Sequence, residues 1–121
     1  MKKKINKLTK KYQLKLLRRE RNKKDEEWRK LVKERDNSRC VICGDMKLVH
    51  IHHIIPREQQ NTRHNILNGI SLCAKHHKYS FEISAHRNSF AFYLWLMINR
   101  DFQFEYLKRH YLDYKGGIIY K

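Results

Sequence analysis

Two short pairs of metal-binding residue types constrain this chain more than any other feature. Cys40-x-x-Cys43 is followed by Cys73-x-x-His76, with 29 residues between Cys43 and Cys73, and the two pairs use all three cysteines. Three thiolates and one imidazole form a closed tetrahedral ligand set of the kind that structural zinc prefers. Three cysteines are too few for a disulfide framework. The pattern therefore predicts a structural Zn2+ site, which would add folding energy to a small core.

The charge of the chain is large and unevenly distributed. The 121 residues leave room for one modest domain and carry a formal net charge of +16. Residues 1–24 hold twelve Lys or Arg and one acid, a net +11, which leaves +5 for the other 97 residues. This basic segment predicts a polyanionic partner, and nucleic acid in particular. A merely solvating basic tail is the alternative.

No segment of the sequence has the character of a membrane span or a signal peptide. The longest apolar run, "FAFYLWLMI" at 90–98, is far shorter than the roughly 20 residues that cross a bilayer. Charges interrupt the N-terminal segment throughout, so it offers no apolar region for secretion. These features predict a soluble, intracellular protein located in the cytoplasm, without a membrane partner.

The order of apolar segments predicts a long helix followed by a small sheet. No proline or glycine occurs from Ile5 to about Arg35, which favours helix, and the polar residues 36–38 are expected to end it. Short strands are predicted at Leu48–His53 and Ile66–Leu72, on either side of a polar loop. A further helix is expected to begin near Ala74.

The C-terminal third predicts two more helices. "SFAFYLWLMIN" is expected to be capped by Asn88 or Ser89. Its apolar residues are expected to face the core rather than to stack on bases, and the four at core spacing are Phe90, Leu94, Met97 and Ile98. "RDFQFEYLKRHYLDY" predicts a second helix although its aromatic residues alternate as in a strand. Gly116 and Gly117 mark a turn before the C-terminal residues.

These elements predict an α+β fold with two parts. Residues 1–35 are expected to form a basic helical arm. Residues 36–121 are expected to form the main domain, with a zinc-bound core at 38–83 and a helical cover at 84–121.

The zinc site leaves a dense group of histidines without a role: His50, His52, His53 and His77. Imidazole can bind a metal ion or act as a general base near neutral pH. The alternative is that they are partly buried residues bonded to backbone carbonyls. In a strand, the adjacent His52 and His53 project to opposite faces. This suits phosphodiester hydrolysis, which needs a base on one side of phosphorus and charge neutralisation on the other.

Together these residues resemble the HNH nuclease family of the ββα-metal type. The resemblance covers residues 40–77, about a third of the chain, and rests on these features: His-His-Ile-x-Pro at 52–56, Asn68, Cys73-x-x-His76 and His77. In that family the three name-giving residues would be His53, Asn68 and His77.

The resemblance implies a role for each matched residue. His53 would be the general base that takes a proton from water, and His52 and His77 would bind a catalytic divalent ion such as Mg2+, Mn2+ or Ni2+. Asn68 would tie the loop and orient the base, or in some members bind the metal. The family more often has Asp where His52 stands, which weakens the case for magnesium and allows softer divalent ions. The segment "KYSFE" after His77 offers only Glu82 or water as a further ligand.

The resemblance also implies a substrate and a setting. The chain is similar to small HNH proteins of bacteriophages and mobile elements. This similarity implies a DNA endonuclease that either nicks one strand or cuts both strands, with a role in homing or in genome packaging. Other phage proteins are candidate partners, and a monomer and a homodimer are both left open. The predicted nucleic-acid contacts are Lys10, Lys11, Arg18, Arg19, Arg57 and Arg63. The alternatives are a non-catalytic zinc-finger nucleic-acid-binding protein and a basic protein of a ribonucleoprotein.

Overall fold

The computed structural model describes residues 2–114, with side chains from residue 9 to residue 111. The elements are helix α1 (Lys2–Arg35), strand β1 (Val49–His53), a 3-10 turn (Ile66–Asn68), strand β2 (Gly69–Cys73), a π-helical turn (Lys75–Tyr79), helix α2 (Ser89–Asn99) and helix α3 (Asp101–Tyr114). The predicted α+β class is confirmed. Residues 115–121, with the turn expected at Gly116 and Gly117, lie outside the described residues.

Strands β1 and β2 form a two-stranded antiparallel sheet in which His53 lies opposite Gly69. Both strands are found near the predicted positions, but their starts differ. Leu48 has a φ of 48° and precedes β1. Residues Ile66–Asn68 form the 3-10 turn instead of the first part of β2. Because side chains alternate along a strand, His52 and His53 project from opposite faces of the sheet.

Helix α1 has an exposed part and a packed part. Residues 9–24 are all exposed. Further along, Trp28 and Val32 are buried, with 2% and 0% of their surface exposed. A Cβ on Gly69 would lie 2.5 Å from Val32 Cγ2 and 2.7 Å from Trp28 Cζ2, so only glycine lets the helix approach β2 this closely. The last third of α1 thus packs on the sheet, and the division of the chain at residue 35 remains a prediction.

A buried carboxylate fixes the end of α1 to the rest of the domain. Asp36 accepts hydrogen bonds from Arg35 Nε and Nη2, each at 2.9 Å, and from Arg100 Nη2 at 3.2 Å. The backbone N–H of Ser71 donates to the same carboxylate at 3.0 Å. Burial raises the pKa of Asp36, but the Arg35 guanidinium and these donors outweigh it, so the pKa is lowered. Asp36 therefore remains a charged link between α1, β2 and the α2–α3 connection.

The hydrophobic core lies between the sheet and the C-terminal helices. Ile70 and Leu72 of β2 and Phe92 and Leu96 of α2 are all completely buried. Phe92 and Leu96 are four residues apart, so they lie on one face of α2. Helix α2 therefore packs its buried face against the core residues of β2, and the division into a zinc-bound core and a helical cover remains a prediction.

The prediction of the buried face of α2 is wrong. Phe90 and Ile98 are 74% and 73% exposed, and Leu94 and Met97 are also on the exposed side. The sequence of α2 is apolar on nearly every side, so its pattern does not define a single buried face. The choice of Phe92 and Leu96 is made by the tertiary packing.

The prediction that residues 101–114 form a helix is confirmed, although the alternating aromatic residues at its start are typical of a strand. Leu107 is buried, whereas Phe102 is 75% exposed. The buried Gln103 donates from Nε2 to Leu67 O at 2.6 Å and to Gly69 O at 2.8 Å, which joins α3 to the start of β2. Within residues 2–114, no helix has the length and apolar character needed to cross a membrane.

Candidate active site

The four residues predicted to bind zinc converge in the structure: Cys40, Cys43, Cys73 and His76. Their donor atoms all lie within 4.8 Å of one another. Cys73 Sγ is 3.3 Å and Cys40 Sγ 3.6 Å from His76 Nδ1, and Cys43 Sγ is 3.7 Å from Cys73 Sγ. Sulfur ligands about 2.3 Å from a tetrahedral zinc ion lie about 3.7 Å apart. The cluster can therefore bind a metal ion, and its spacing fits zinc.

A tight turn presents the first two cysteines of this cluster. The backbone N–H of Gly44 donates to Cys40 O at 2.8 Å, and Cys40 N–H donates to Asp45 O at 2.9 Å. Gly44 has a φ of 78°, which glycine adopts at little cost. Burial raises the pKa of the Cys40 thiol, but backbone N–H groups, including that of Cys73, donate to its sulfur and lower the pKa overall. The lowered pKa favours a thiolate at Cys40, whereas burial raises the pKa of Cys43 to about 11, so metal binding at Cys43 would have to release the thiol proton.

A second cluster consists of His52, His77 and His86. One nitrogen atom from each ring lies within 4.8 Å of the others. His52 comes from β1, His77 from the π-helical turn and His86 from the loop before α2. His86 Nε2 lies 3.1 Å from His77 Nε2. The structure thus brings the predicted ligands His52 and His77 together and adds a third imidazole.

The contribution of His86 was missed by the sequence reasoning, which offered Glu82 or water instead. Glu82 is exposed and belongs to neither cluster of the described residues. Two backbone bonds bring His86 back beside His77: Ala85 N–H donates to His76 O at 2.9 Å, and His86 N–H to His77 O at 3.0 Å. No fixed sequence spacing signals this return of the chain.

Two imidazoles of the second cluster, those of His52 and His77, have lowered pKa values that favour the neutral form. Burial lowers the pKa of His52 to about 3, and the nearby His77 and His86 add to the shift. Burial likewise lowers the pKa of His77 to about 4, with further contributions from His86, His50 and Lys78. Only a neutral imidazole has a lone pair for a metal ion. His52 and His77 therefore have the protonation state that a cation site requires, and all three imidazoles have the spacing.

His50 contacts the second cluster without belonging to it. Its Nδ1 lies 3.0 Å from Nδ1 of His77, so one of these two atoms carries the shared proton. A histidine that binds a metal ion commonly donates its other ring N–H to a neighbouring acceptor. His50 is placed to be that acceptor while Nε2 of His77 faces His86.

His53, the predicted general base, lies on the opposite face of β1 and contacts α1. Its ring stacks on Trp28, with ring centroids 3.9 Å apart and an interplanar angle of 12°. Its Nε2 lies 3.0 Å from the carbonyl oxygen of Arg63. A carbonyl only accepts, so Nε2 carries the proton and Nδ1 keeps the lone pair. Burial lowers the pKa of His53, which favours the neutral form that a base needs.

Asn68 is completely buried and fastens the loop between the strands. Its Oδ1 accepts from Ile55 N at 2.6 Å, and its Nδ2 donates to Ile55 O at 3.0 Å and to Thr62 O at 3.2 Å. Thr62 directly precedes Arg63, whose carbonyl accepts from His53. These bonds engage both ends of the amide, so the geometry favours loop fixation by Asn68 over metal binding.

Arg63 is held in a buried ion pair with Asp25 of α1. Its Nε and Nη2 donate to the two Asp25 oxygens at 2.9 Å and 2.8 Å, and His64 Nε2 lies 2.6 Å from Asp25 Oδ1. Arg63 is only 9% exposed. Its guanidinium is thus engaged away from solvent, which corrects the expectation that it grips a phosphate. Asp25 and Trp28 were both missed because they precede His53 by 28 and 25 residues.

The other predicted nucleic-acid contacts are exposed. Lys10, Lys11, Arg18 and Arg19 lie in the exposed part of α1. The Arg57 side chain is 64% exposed and lies 4.0 Å from Glu58. Their contact with nucleic acid remains a prediction.

The fold and the site define a small ββα domain with two groups of metal-binding residue types, one of thiolates with an imidazole and one of imidazoles alone. Residues 40–80 match the family model of the HNH endonuclease, so this segment belongs to the HNH endonuclease family. This match indicates nuclease activity in general. The matched segment contains both strands and the π-helical turn, whereas the three α-helices lie outside it. Comparison with curated proteins and with solved structures gave no match.

Proposed function

We propose that this protein is a metal-dependent endonuclease that hydrolyses phosphodiester bonds in DNA. The observation that carries the proposal is the placement of His53 on one face of β1 and of the cluster of His52, His77 and His86 on the other. A base and a cation site are then held on two sides of one short strand. The family match supports the reaction class.

The proposed chemistry assigns a separate task to each face. His52, His77 and His86 would hold a divalent ion through neutral nitrogens, and such an ion supplies Lewis-acid stabilisation of charge on the phosphate and the leaving oxygen. His53 takes a proton from water at Nδ1, because its Nε2–H is donated to Arg63 O. The water oxygen bonds to phosphorus while the bond to the 3′-oxygen breaks, and the leaving 3′-oxygen takes up a proton from solvent. The products are 5′-phosphate and 3′-hydroxyl ends.

Asn68 supports this chemistry indirectly. It fixes Ile55 and Thr62, the residues near the two ends of the loop, through three hydrogen bonds. The carbonyl of Arg63 follows Thr62 and accepts from His53. Asn68 thereby fixes the tautomer and direction of the base, and it acts as a positioning residue.

The ions and the setting form the finer part of the proposal. Zinc is proposed for the site of Cys40, Cys43, Cys73 and His76. The three imidazoles of the other site favour Mn2+ or Ni2+ over Mg2+, because magnesium prefers oxygen ligands. The exposed basic residues of α1 and Arg57 are proposed to contact phosphates. The proposed setting is the cytoplasm, and the proposed origin is a phage or mobile element. The protein would cut one or both strands, as a monomer or as a homodimer.

Plasmid cleavage tests the proposed function directly. Supercoiled plasmid is incubated with the protein and Mg2+, Mn2+, Ni2+ or EDTA, beside His53→Ala and the matched control His110→Ala. His110 lies on α3 and contacts Asn61 and Tyr106, away from both clusters. We expect ion-dependent cleavage by the wild type and His110→Ala, and none by a folded, zinc-loaded His53→Ala.

The same experiment has a clear contrary outcome. If no ion supports cleavage of DNA or RNA by the folded wild type while DNA binding persists, the nuclease proposal is wrong. The non-catalytic nucleic-acid-binding protein would then replace it.

A further inference from the structure

A basic groove of about 540 Å³ lies between α1 and β1. Helix α1 forms one wall with Glu26, Arg29, Lys30 and Lys33, and the three consecutive residues 49–51 of β1 form the other. None of the basic residues in this wall was among the predicted nucleic-acid contacts. Their position along the groove distinguishes them from the exposed residues 9–24.

The charge in this groove is positive and largely uncompensated. Glu26 pairs with Arg29 on the same helix, one turn apart. Lys30 and Lys33 are exposed and form no ion pair with the described residues. Three basic groups against one acid give the groove wall a net charge of +2. A polyanion would be attracted to it.

The second wall is the free edge of a strand. Among the described residues β1 pairs only with β2, so one of its edges has no partner strand. Side chains alternate along a strand, so a groove lined by three consecutive residues runs along that edge. An unpaired edge presents backbone N–H groups, which bind phosphate oxygens in many protein–DNA contacts.

The groove adjoins both sides of the candidate active site. His50 lines it, and Nδ1 of His50 lies 3.0 Å from Nδ1 of His77 in the histidine cluster. Arg29 directly follows Trp28, and the Trp28 ring stacks on His53 with ring centroids 3.9 Å apart. A strand lying in the groove would therefore approach the cluster and the base together.

We propose that this groove binds the phosphodiester backbone of the DNA strand that is cut, with Lys30 and Lys33 contacting phosphates next to the cleaved one. The statement that the bound strand is the one cut rests on the proposed function. The binding of a DNA backbone in the groove does not, because it depends only on the basic wall and the strand edge.

The test compares two double variants that remove equal charge. The groove variant, Lys30→Gln with Lys33→Gln, removes the two cations of the groove wall that form no ion pair with the described residues. The control variant, Lys108→Gln with Arg109→Gln, removes two exposed cations from α3. Duplex binding is measured by fluorescence anisotropy at several salt concentrations on the zinc-loaded protein, with no chelator and no other divalent ion added, so that the structural site keeps its ion while cleavage lacks its own. A plot of log K against log salt has a negative slope for a protein that binds phosphates. Loss of two phosphate contacts is expected to make this slope less steep by about 1.8 in the groove variant. The slope of the α3 variant is expected to stay near that of the wild type.

Cleavage kinetics separate this proposal from the proposed function. The groove variant is expected to raise KM for plasmid roughly tenfold or more with kcat unchanged, because ground-state phosphate contacts are lost. Equal salt slopes and affinities for the two double variants overturn the groove proposal, even if the protein cuts DNA. If the wild type does not cut at all, the anisotropy comparison still decides whether the groove binds DNA.

Discussion

The indole of Trp28 lies flat against the imidazole of His53, with ring centroids 3.9 Å apart and an angle of 12° between the planes. Trp28 also donates from Nε1 to Asn65 O at 2.8 Å. Helix α1 therefore holds one face of the candidate base and the loop that follows it. A helix outside the matched HNH segment is part of the candidate active site.

Substitution of Trp28 tests whether the stack positions the base. Trp28→Phe keeps an aromatic ring and loses the bond to Asn65 O, so we expect a loss of about 1–2 kcal/mol in the free energy of unfolding and near-normal cleavage. Trp28→Leu removes the stack, and we expect kcat to fall by roughly tenfold to a hundredfold. Urea unfolding and plasmid cleavage measure the two effects. The matched control is Trp95→Leu, which changes a half-buried tryptophan of α2. Equal kcat values for the two Leu variants would refute the positioning role of Trp28.

Removal of the third imidazole tests whether His86 is a ligand of the cation site. His86→Ala is expected to weaken Mn2+ binding by at least about tenfold, because a ligand is lost. Zinc content and the free energy of unfolding should change little, since His86 is exposed. Isothermal titration with Mn2+ and elemental zinc measurement provide the readouts, with His110→Ala as the control. An unchanged Mn2+ affinity in His86→Ala would exclude this residue as a ligand.

Loss of one thiolate tests the structural metal site. Cys73→Ser is expected to purify without zinc and to lack a cooperative thermal transition, because metal binding contributes directly to folding in small domains. Met46→Ser replaces an exposed residue next to the turn that presents Cys40 and Cys43, and this variant is expected to retain both the zinc and the cooperative transition. Elemental analysis and calorimetry are the measurements. A stably folded, zinc-free Cys73→Ser would show that no ion is needed to hold the core.

The buried pair of Asp25 and Arg63 predicts a defined pH dependence. The Arg63 guanidinium lowers the pKa of Asp25, and the charged carboxylate therefore stabilises the fold above the unfolded-state pKa near 4. Asp25→Asn is expected to cost about 3 kcal/mol at pH 7, because it leaves a buried arginine unpaired. The difference from the wild type should shrink as pH falls below about 4, because Asp25 of the unfolded chain is then protonated while the folded-state pKa lies lower. Urea unfolding from pH 7 to pH 3 checks this, and the exposed Asp101→Asn should show a much smaller difference at every pH.

The sequence predicted those site residues whose relation depends on local spacing. Cys40 and Cys43 share one turn, and Cys73 and His76 share the junction of β2 and the π-helical turn, so the two pairs could be recognised before the fold was known. His52 and His53 are adjacent on one strand. The opposition of their side chains follows from strand geometry alone.

The remaining residues could not be predicted because tertiary packing brings them to the site. His86 reaches His77 through backbone bonds between two loops, which no spacing rule encodes. Asp25 and Trp28 reach Arg63 and His53 only because α1 folds back on the sheet. The apolar surface of α2 was misjudged for the same reason, since its composition is compatible with several buried faces.

The part of α1 that precedes its buried residues sets how far this helix extends beyond the residues that pack on the sheet. Residues 2–24 form 23 residues of helix, which at 1.5 Å per residue span about 35 Å. Successive phosphates of one DNA strand advance about 3.4 Å along the duplex axis. A helix of this length can follow about ten base pairs, close to one full turn of the double helix. On the proposed function, the footprint on DNA would therefore be lopsided, reaching one turn further on the side of α1 than on the other side of the cut.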